Sequence, residues 1–465
     1  MKKTKIIATI GPSCEEQEVL KNMVLAGMNC ARINMSHATF EECESRIEKI
    51  RSINEEGHNI GILIDTKGPE VRSGCFEGGK TTLTEGSIVT VTNNEIMGND
   101  KELCIRYENL LSDLEVGNSV LLNNGLISLT VVEKLDDKLK CRVNNTGEIK
   151  DRRAVNLPDN ELSIPFLSEK DTKDIEYACD KDVDFIALSF VSKKENVIGV
   201  KEILKNKGKE NIKIISKIEN NVALKNIDDI LEVSDGIMVA RGDLGVEVDF
   251  TKLPGIQKKL VRLANKKGKI CIVATEMLAS METSLRPTRA EVSDVANAVL
   301  DCTDAVMLSG ESATGLYPVN TVNVMAQICK DSESLIENNK TLVSVSDITD
   351  AIAYSTYESA LRLNAKAIVA STISGYTASL ISAFRPSCSI IAPTPYKKVA
   401  TGLSLCYGVI PTIVKPYETN DELITDSIRL AKEVIETKKD DILVITGGHP
   451  TGVNTRTNFL KIEKL

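Results

Sequence analysis

Short apolar segments and longer amphipathic segments alternate along most of the chain. The short segments are rich in Val, Ile and Leu, and apolar residues in the longer ones return every three or four positions. Because strands buried on both faces appear as continuous apolar runs, the alternation predicts parallel strands joined by helices. The predicted strands are residues 4–10, 29–35, 59–66, 184–191, 212–219, 235–241, 269–277 and 304–310.

Eight such strands favour an α/β fold of the (β/α)8 type, the TIM barrel, whose active site lies at the carboxyl ends of its strands. An open, doubly wound sheet is the alternative, and its functional residues would cluster at one switch point. Polar residues follow many of the predicted strands in this chain. Their spread favours the closed barrel.

Two regions depart from this pattern. Between residues 70 and 162, short Val, Thr and Leu runs separated by Gly, Asn and Asp replace the helices, as is typical of antiparallel hairpins. After residue 342 a helix and further strands begin a new α/β pattern. We therefore predict a barrel at residues 1–69 and 163–342, an inserted β-barrel lid domain at 70–162 and a C-terminal open α/β domain at 343–465.

The composition and net charge of the chain argue against two classes of binding partner. The 465 residues carry a formal net charge of −9 without a basic block, which argues against nucleic acid or an anionic membrane as the main partner. The chain lacks an apolar run of about eighteen residues and a signal-peptide core, so we expect a cytoplasmic protein. Twelve cysteines without a Cys-x-x-Cys pair indicate reduced core residues.

Charged side chains end two neighbouring strands, 212–219 and 235–241, which a predicted helix over 221–232 connects. A right-handed crossover makes these strands parallel, so Lys217, Glu219, Arg241 and Asp243 should emerge at one edge. Two carboxylates beside a lysine suit Mg²⁺ next to an anionic substrate, because Mg²⁺ takes one or two protein carboxylates plus substrate oxygens. A surface ion-pair network is the alternative. Other polar residues at strand ends are Arg32, Asn34, Ser36, His37, Asp65, Thr66, Thr275, Glu276, Ser309 and Glu311.

A hydroxyl-rich turn, residues 371–378, follows the first strand predicted in the C-terminal domain and leads into a helix. Its Thr372, Ser374 and Thr377 could hold a phosphate together with main-chain N–H groups, or the turn could be a plain helix cap. The glycine-rich segment 446–452 is either a second wall of that pocket or a long turn.

Six motifs, in order along essentially the whole chain, resemble the pyruvate kinase family. They are KTKIIATIGPS, ARINMSHA, LIDTKGPEVR, ISKIEN, DGIMVARGDLGVE and RPTRAEVSDVANAVLDCTDAVMLSGESATGLYP. The resemblance implies phosphoryl transfer from phosphoenolpyruvate to ADP, giving pyruvate and ATP in the last step of glycolysis. It also implies Mg²⁺ (or Mn²⁺) and K⁺ as cofactors, a homotetramer and a regulatory role for the C-terminal domain.

Residue roles follow from the matching positions. Glu219 and Asp243 resemble the family's Mg²⁺ ligands. Lys217 resembles the lysine that neutralises charge on the transferred group and on the enolate oxygen, and Arg32 should hold phosphoryl oxygens. The resemblance implies four catalytic residues, which are Lys217, Arg32, Thr275 and Ser309.

The substrate carboxylate is expected at the main chain of Gly242 and Asp243, with Thr275 completing the contact. Thr275 and Ser309 match residues implicated in protonating the enolate, and the final proton donor stays open. Arg241 is expected to brace neighbouring loops.

The monovalent-cation site of the family matches Asn34, Ser36, Asp65 and Thr66. Glu70 resembles the K⁺-dependent members, since a lysine at that position can replace the charge of the ion. The resemblance therefore implies K⁺ dependence.

The nucleotide is expected near Asn34, His37, Arg72 and Arg153, the last two in the lid domain, which would close over the site and exclude water. Arg153-Ala154 stands where the family often has Lys-Gly, so the charge is kept but the hydrogen-bond geometry changes.

Two further departures concern other sites. Glu276 replaces a usual glutamine and adds a carboxylate beside Thr275, while Tyr376 replaces a usual basic residue after Ser-Gly. Thr372, Ser374 and Thr377 still match a phosphate-binding loop, so a sugar phosphate is the expected allosteric effector.

Two rival functions are a catalytically silent relative that senses metabolites and another metal-enolate barrel enzyme, such as an aldolase acting on pyruvate. The intact set Lys217, Glu219, Asp243 and Thr275 argues against the first. The second predicts no ADP-dependent step.

Overall fold

Eight parallel strands form a closed barrel in the computed structural model, which describes residues 2–336, 347–448 and 456–465. The first strand pairs with the second on one side and with the eighth on the other, so the predicted TIM barrel is confirmed and the open sheet is excluded. The barrel strands are Lys5–Thr9, Cys30–Asn34, Gly61–Asp65, Phe185–Leu188, Lys213–Ile218, Gly236–Ala240, Ile270–Ala274 and Ala305–Leu308.

Side chains of each barrel strand alternate between two apolar layers. In the first strand, Ile6 and Ala8 pack with the surrounding helices, whereas Ile7 points into the barrel interior. Successive strand residues face opposite sides of a sheet, and here both sides are covered. This double burial explains why the strands appear in the sequence as unbroken apolar runs.

Helices surround the barrel, and several begin at capping boxes. Thr39, Ser168 and Thr288 each accept a hydrogen bond from the third residue of the helix that follows, whose own carboxylate accepts from the cap N–H. The barrel helices are Gln17–Ala26, Phe40–Glu55, Glu169–Asp180, Lys194–Asn206, Asn221–Lys225, Ile227–Val233, Arg241–Glu247, Leu253–Lys266, Arg289–Leu300, Gly310–Ala313 and Pro318–Glu333, with 3-10 turns at Phe250–Lys252 and Ala279–Glu282.

The single helix predicted over residues 221–232 is wrong, because the structure has two helices there, Asn221–Lys225 and Ile227–Val233. Asn226 separates them with a non-helical main chain, and its side chain donates to the carbonyl of Ser192 at 2.9 Å. Asparagine competes for hydrogen bonds outside the helix, which explains the break.

Three aspartates close the lower, amino-terminal end of the barrel. Each immediately precedes an even-numbered strand and accepts a hydrogen bond from a main-chain N–H of the strand before it. The pairs are Asp184 with Ile62 at 2.9 Å, Asp235 with Ile214 at 2.8 Å and Asp304 with Cys271 at 2.9 Å. Each of these N–H groups therefore has an acceptor inside the protein.

The inserted region is an all-β domain, as predicted, with one aliphatic core around residues such as Leu103, Val120 and Leu129. Its strands form one seven-stranded and two two-stranded sheets, so the β-barrel predicted for 70–162 consists of three hydrogen-bonded sheets. The strands are Val71–Arg72, Cys75–Phe76, Lys80–Leu83, Ile88–Thr92, Met97–Gly98, Glu102–Cys104, Ser119–Leu122, Ile127–Lys134, Leu139–Val143, Gly147–Lys150 and Ala154–Asn156, and the helical turns are Glu77–Gly79 and Leu110–Asp113.

The C-terminal domain is an open α/β sheet, which confirms the predicted class. Four parallel strands are followed by an antiparallel edge strand, Thr457–Lys464, that was not predicted. The other strands are Ala367–Ala370, Ser389–Thr394, Val409–Ile413 and Ile442–Gly448, and the helices are Ile348–Arg362, Tyr376–Ala383, Lys397–Gly402 and Asn420–Val434. The predicted boundary at 342/343 lies outside the described residues. In the described ranges, no helix is long and apolar enough to cross a membrane.

Two of these aspartates, Asp304 and Asp184, also bind the C-terminal domain to the amino-terminal end of the barrel. Arg385 binds both oxygens of Asp304 at 2.8 Å, and both side chains are 5% exposed. Thr401 donates to Asp184 at 2.6 Å. The apolar cluster of the barrel interior continues into this domain through Leu403 and Leu405, so the two cores are joined.

We predict that Arg385→Gln lowers the free energy of unfolding by roughly 3–5 kcal/mol, because it leaves the buried Asp304 carboxylate without its cation. Chemical denaturation measures the loss. The matched control is Arg429→Gln in the same domain. The Arg429 side chain is 52% exposed, so this variant should leave the stability nearly unchanged. Equal losses for both variants would contradict the interpretation.

Candidate active site

A buried carboxylate, Asp65, lies at the centre of the strand ends. Arg32 donates from Nε to Asp65 Oδ2 at 2.7 Å, and Lys217 Nζ lies 3.2 Å from Oδ1. Thr9 Oγ1 accepts a second Arg32 hydrogen bond at 2.9 Å. These residues end the first, second, third and fifth barrel strands, so closure of the barrel brings them together.

Lys217 is held by three acceptors. Besides Asp65, its Nζ contacts Glu219 Oε1 at 2.9 Å and Ser189 Oγ at 2.7 Å. Lys217 and Glu219 share a face because side chains alternate along a strand. Glu219 also accepts from the main chain of Phe190 at 2.6 Å, so both of its oxygens are fixed.

Electrostatic effects in this cluster have opposite signs. Burial raises the pKa of Asp65, but Lys217 and Arg32 outweigh it and lower that pKa. Burial likewise disfavours charge on Lys217, yet Asp65 and Glu219 raise its pKa. For Glu219, burial dominates over Lys217 and, with Asp243, raises the pKa to about 7. Lys217 is therefore charged. Its charge does not fully offset the effect of burial on the Glu219 carboxylate.

Asp243 lies at the mouth of the barrel in the short helix Arg241–Glu247. Its side chain reaches solvent, but desolvation by the surrounding protein and the Asp65 and Glu70 carboxylates raise its pKa against the effect of Lys217. A divalent cation would relieve this accumulation of negative charge. Glu219 and Asp243 thus fit a Mg²⁺ ion that completes its coordination with substrate and water. Among the described residues, groups of three or more His, Cys, Asp or Glu side chains suited to a metal are absent.

The loop after the seventh strand is strained and braced. Thr275 and Glu276 have φ of 70° and 53°. Positive φ is uncommon outside glycine, and it is most strained for a β-branched residue such as Thr275. Thr275 Oγ1 accepts from the N–H of Gly242 at 2.7 Å, and Arg241 donates to the Thr275 carbonyl at 2.6 Å. Arg241 also pairs with Asp294 at 2.6 Å. Arg241 therefore contacts neighbouring loops, as expected for a residue that braces them. The side chain of Glu276 is exposed.

Ser309 directly follows the eighth strand and is partly buried. Its N–H donates to Glu311 Oε2 at 2.7 Å, and the other Glu311 oxygen accepts from Leu278 at 3.1 Å. Glu311 therefore ties the last two strand-end loops together, and Ser309 stands at the same mouth as Thr275.

The four residues of the expected K⁺ site are neighbours. Asn34 pairs in register with Asp65, and Asn34 Oδ1 accepts from the N–H of Ser36 at 3.0 Å. The carbonyl of Thr66 accepts from Ser189 at 2.7 Å. Oxygen atoms of the kind that bind K⁺ therefore meet here, although the Asp65 carboxylate is shared with Arg32 and Lys217.

The residues expected to contact the nucleotide come from both the barrel and the lid domain. His37 is exposed, and Arg72 donates to Glu70 Oε2 at 2.8 Å. Arg153 is exposed beside the lid strand that pairs with Arg72. A cavity of about 620 Å³ begins at Ala38 and is lined by Thr39, Phe40, Glu41, Ser168, Glu169, Lys170, Lys173 and Asp174.

Sequence reasoning did not identify Thr9, Ser189 or Lys170. Ser189 directly follows the fourth strand, so the rule applied to other strand ends could have found it. Lys170 lies in a helix and donates to the Met35 carbonyl at 2.9 Å. Because Lys170 does not follow a strand, the rule used for strand ends could not identify it.

The hydroxyl-rich turn of the C-terminal domain lines a second cavity of about 500 Å³. Thr372 Oγ1 accepts from the N–H of Gly375 at 2.8 Å, and Gly375 has φ of 86°. Ser374, Thr377 and Tyr376 also line the cavity, together with two cations not predicted for it, Lys415 and Arg456. Most of the glycine-rich segment 446–452 lies outside the described residues.

Comparison with known proteins identifies the family. The model for the pyruvate kinase barrel domain matches residues 1–322, and that for the pyruvate kinase alpha/beta domain matches residues 350–463. Pyruvate kinases of Staphylococcus haemolyticus and Staphylococcus aureus (strain MRSA252) are 44% and 45% identical over 472 residues, covering 100% of this chain and 80% of theirs.

A solved structure agrees with these sequence relatives. The crystal structure of a pyruvate kinase from Cryptosporidium parvum superposes with a TM-score of 0.94 at 39% identity, covering 100% of this chain and 96% of the other. The chain belongs to the pyruvate kinase family, which transfers the phosphoryl group of phosphoenolpyruvate to ADP.

Proposed function

We propose that the cluster around Lys217 is the centre at which phosphoenolpyruvate gives its phosphoryl group to ADP. The observation that carries this proposal is the position of the charged Lys217 Nζ between Asp65 and Glu219 at the mouth of the barrel. Lys217 is only 9% exposed. Phosphoryl transfer needs positioning and positive charge more than covalent help. A fixed lysine supplies both.

Glu219 and Asp243 would hold Mg²⁺ (or Mn²⁺), and the ion when bound would neutralise charge on the phosphoryl group. Arg32, fixed by Asp65 and Thr9, would bind phosphoryl oxygens with its remaining N–H donors.

The main chain of Gly242 and Asp243 would orient the substrate carboxylate with Thr275, whose hydroxyl already contacts Gly242. Thr275 and Ser309 are the candidates for delivering the proton to the enolate. Asn34, His37, Arg72 and Arg153 would contact the nucleotide as the lid excludes water.

Lys217→Met tests the proposed role of this amine. The native chain should form pyruvate from phosphoenolpyruvate only with both ADP and Mg²⁺, whereas the variant should lose several orders of magnitude in kcat because the charge that stabilises the transition state is gone. Mn²⁺ binding to the variant should stay measurable. A coupled pyruvate assay and a Mn²⁺ titration test both statements.

Lys207→Met, an exposed barrel lysine paired with Asp180, is the matched control and should keep its turnover. Near-normal turnover of Lys217→Met would refute the role of this amine. Pyruvate formation without ADP would instead favour the aldolase-like alternative, and no turnover by the native chain would favour a metabolite sensor.

We also propose K⁺ at Asn34, Ser36, Asp65 and Thr66, because these residues place several oxygen atoms together. Glu70 pairs with Arg72 at 2.8 Å. Because position 70 carries no lysine, its side chain cannot replace the positive charge of a bound K⁺ ion.

Replacing K⁺ by N-methylglucamine should therefore lower kcat/KM by on the order of tenfold or more, since a nearby cation stabilises the transferring group. Glu70→Lys should recover activity without K⁺. Steady-state assays at constant ionic strength measure both effects. Full activity of the native chain without K⁺ would overturn the site.

A sugar phosphate is our proposed effector at the C-terminal cavity. Thr372, Ser374 and Thr377 supply hydroxyl groups, and Lys415 and Arg456 supply the positive charge that the family's basic residue would bring at position 376.

Lys415→Ala should weaken the binding of an activating sugar phosphate by about tenfold, the loss expected for one charge-assisted contact. Calorimetric titration measures the affinity. Lys432→Ala, an exposed lysine on a helix of the same domain, should bind as the native chain does. Unchanged affinity of Lys415→Ala would remove this residue from the site.

A homotetramer acting in glycolysis in the cytoplasm completes the proposal. Leu285 and Leu316 on the barrel and Ile348 on the C-terminal domain are 58%, 65% and 70% exposed, and such side chains suit subunit contacts. All twelve cysteines are unpaired, which fits a reducing compartment.

A further inference from the structure

Two adjacent elements of the lid form one rigid edge that faces the barrel. The strand Ala154–Asn156 pairs antiparallel with Ser119–Leu122, and Asn156 lies opposite Leu121. The turn through Gly125 follows the second of these strands directly. Because the two strands are hydrogen-bonded, Asn156 and Gly125 move together with the lid.

This edge touches two consecutive residues of the short helix Arg241–Glu247. Asn156 Nδ2 donates to Glu247 Oε1 at 3.1 Å. Gly125, with φ of 78°, lies so near Val246 that an added Cβ would be 3.1 Å from its Cγ1. A side chain at position 125 would therefore disturb both the turn and the contact.

The helix that receives these contacts also carries Asp243, one turn earlier. Its other contacts are with the barrel: Leu244 is fully buried, and Asn221 donates to the Glu247 carbonyl at 3.0 Å. The helix has only seven residues. A displacement of this helix at Glu247 should therefore also displace Asp243.

The other polar contacts near the base of the lid are weaker candidates for such coupling. Asp159 pairs with Lys225 at 3.3 Å, and Glu161 pairs with Lys193 at 3.0 Å, with all four side chains well exposed. Exposed pairs contribute little. Glu247 is instead half-buried, and burial raises its pKa to about 7, opposed by Asn156 and assisted by Asp159 and Asp243.

We propose that Glu247 is a positioning residue through which the seated lid fixes the place of Asp243. The inference rests on the proposed role of Asp243 as a Mg²⁺ ligand. It assigns Glu247 no contact with substrate or metal. Its carboxyl oxygen accepts from Asn156 whether the group is charged or neutral, so the contact persists in both states.

The test uses Asn156→Ala, Glu247→Ala and the double variant of the full chain. Each single variant should raise the half-saturating Mg²⁺ concentration by about tenfold, the effect of one hydrogen bond lost at a half-buried carboxyl group. The double variant should be no worse than either single one, because both remove the same contact. Glu247→Gln keeps the acceptor oxygen and should stay within about twofold of the native chain.

Hydrogen–deuterium exchange of metal-free protein supplies a readout independent of activity. Amides of residues 241–248, including Val248 N–H bonded to Leu244 at 3.0 Å, should exchange faster in Asn156→Ala. Lys225→Ala, which removes an exposed lid–barrel pair, is the control and should match the native chain in both measurements.

Unchanged exchange and unchanged Mg²⁺ dependence in Asn156→Ala would overturn the proposal, as would effects that multiply in the double variant. If Glu247→Ala does not fold, Asn156→Ala alone decides between these outcomes. Asp243→Asn tests the metal assignment separately. If it leaves the Mg²⁺ requirement unchanged, Asp243 is not a ligand, while the exchange result still decides whether the lid positions the helix.

Discussion

Pairing of the first strand, Lys5–Thr9, with the last, Ala305–Leu308, is the constraint on which the site depends. It closes the barrel and brings together side chains that are far apart in sequence. Thr9 Oγ1 donates to the Leu308 carbonyl at 2.8 Å and accepts from Arg32. Closure thereby fixes the hydroxyl that orients Arg32, and with it the direction of the guanidinium toward the mouth.

Charge balance at the mouth follows from this geometry. Asp65 is buried and stays charged because Arg32 and Lys217 both contact it. Burial of an unpaired carboxylate would be prohibitively unfavourable, so the three groups are interdependent. Burial raises the pKa of Glu219 and of Asp243 more than Lys217 lowers it, as expected of the carboxylates that we propose as ligands of a cation. The side chains that balance charge at the mouth are therefore the same ones that bind metal and substrate in the proposed mechanism.

Periodicity in the sequence predicted the barrel, the β insertion and the open C-terminal sheet, because each depends on local patterns of burial. Strand ends also indicated Lys217 as a candidate site residue, and the structure places it beside Asp65 and Glu219. Contacts made through tertiary structure were not predictable: the bidentate pair of Arg385 with Asp304 crosses two domains, and Asn226 splits a helix through its contact with Ser192. Such contacts depend on which side chains meet after folding, and local patterns do not encode that.

The two accessory domains act on opposite ends of the barrel. The lid contacts the carboxyl ends through Glu247, whereas the C-terminal domain contacts the amino-terminal end through Asp184 and Asp304. The barrel interior shares one apolar cluster with the C-terminal domain, and Ile7 and Met238 belong to it. Close-packed cores transmit small displacements because their side chains have no room to absorb them. Within one chain, the shared cluster therefore forms a continuous packed path from the C-terminal domain to the barrel strands. These strands end in the residues that hold substrate and metal in the proposed site.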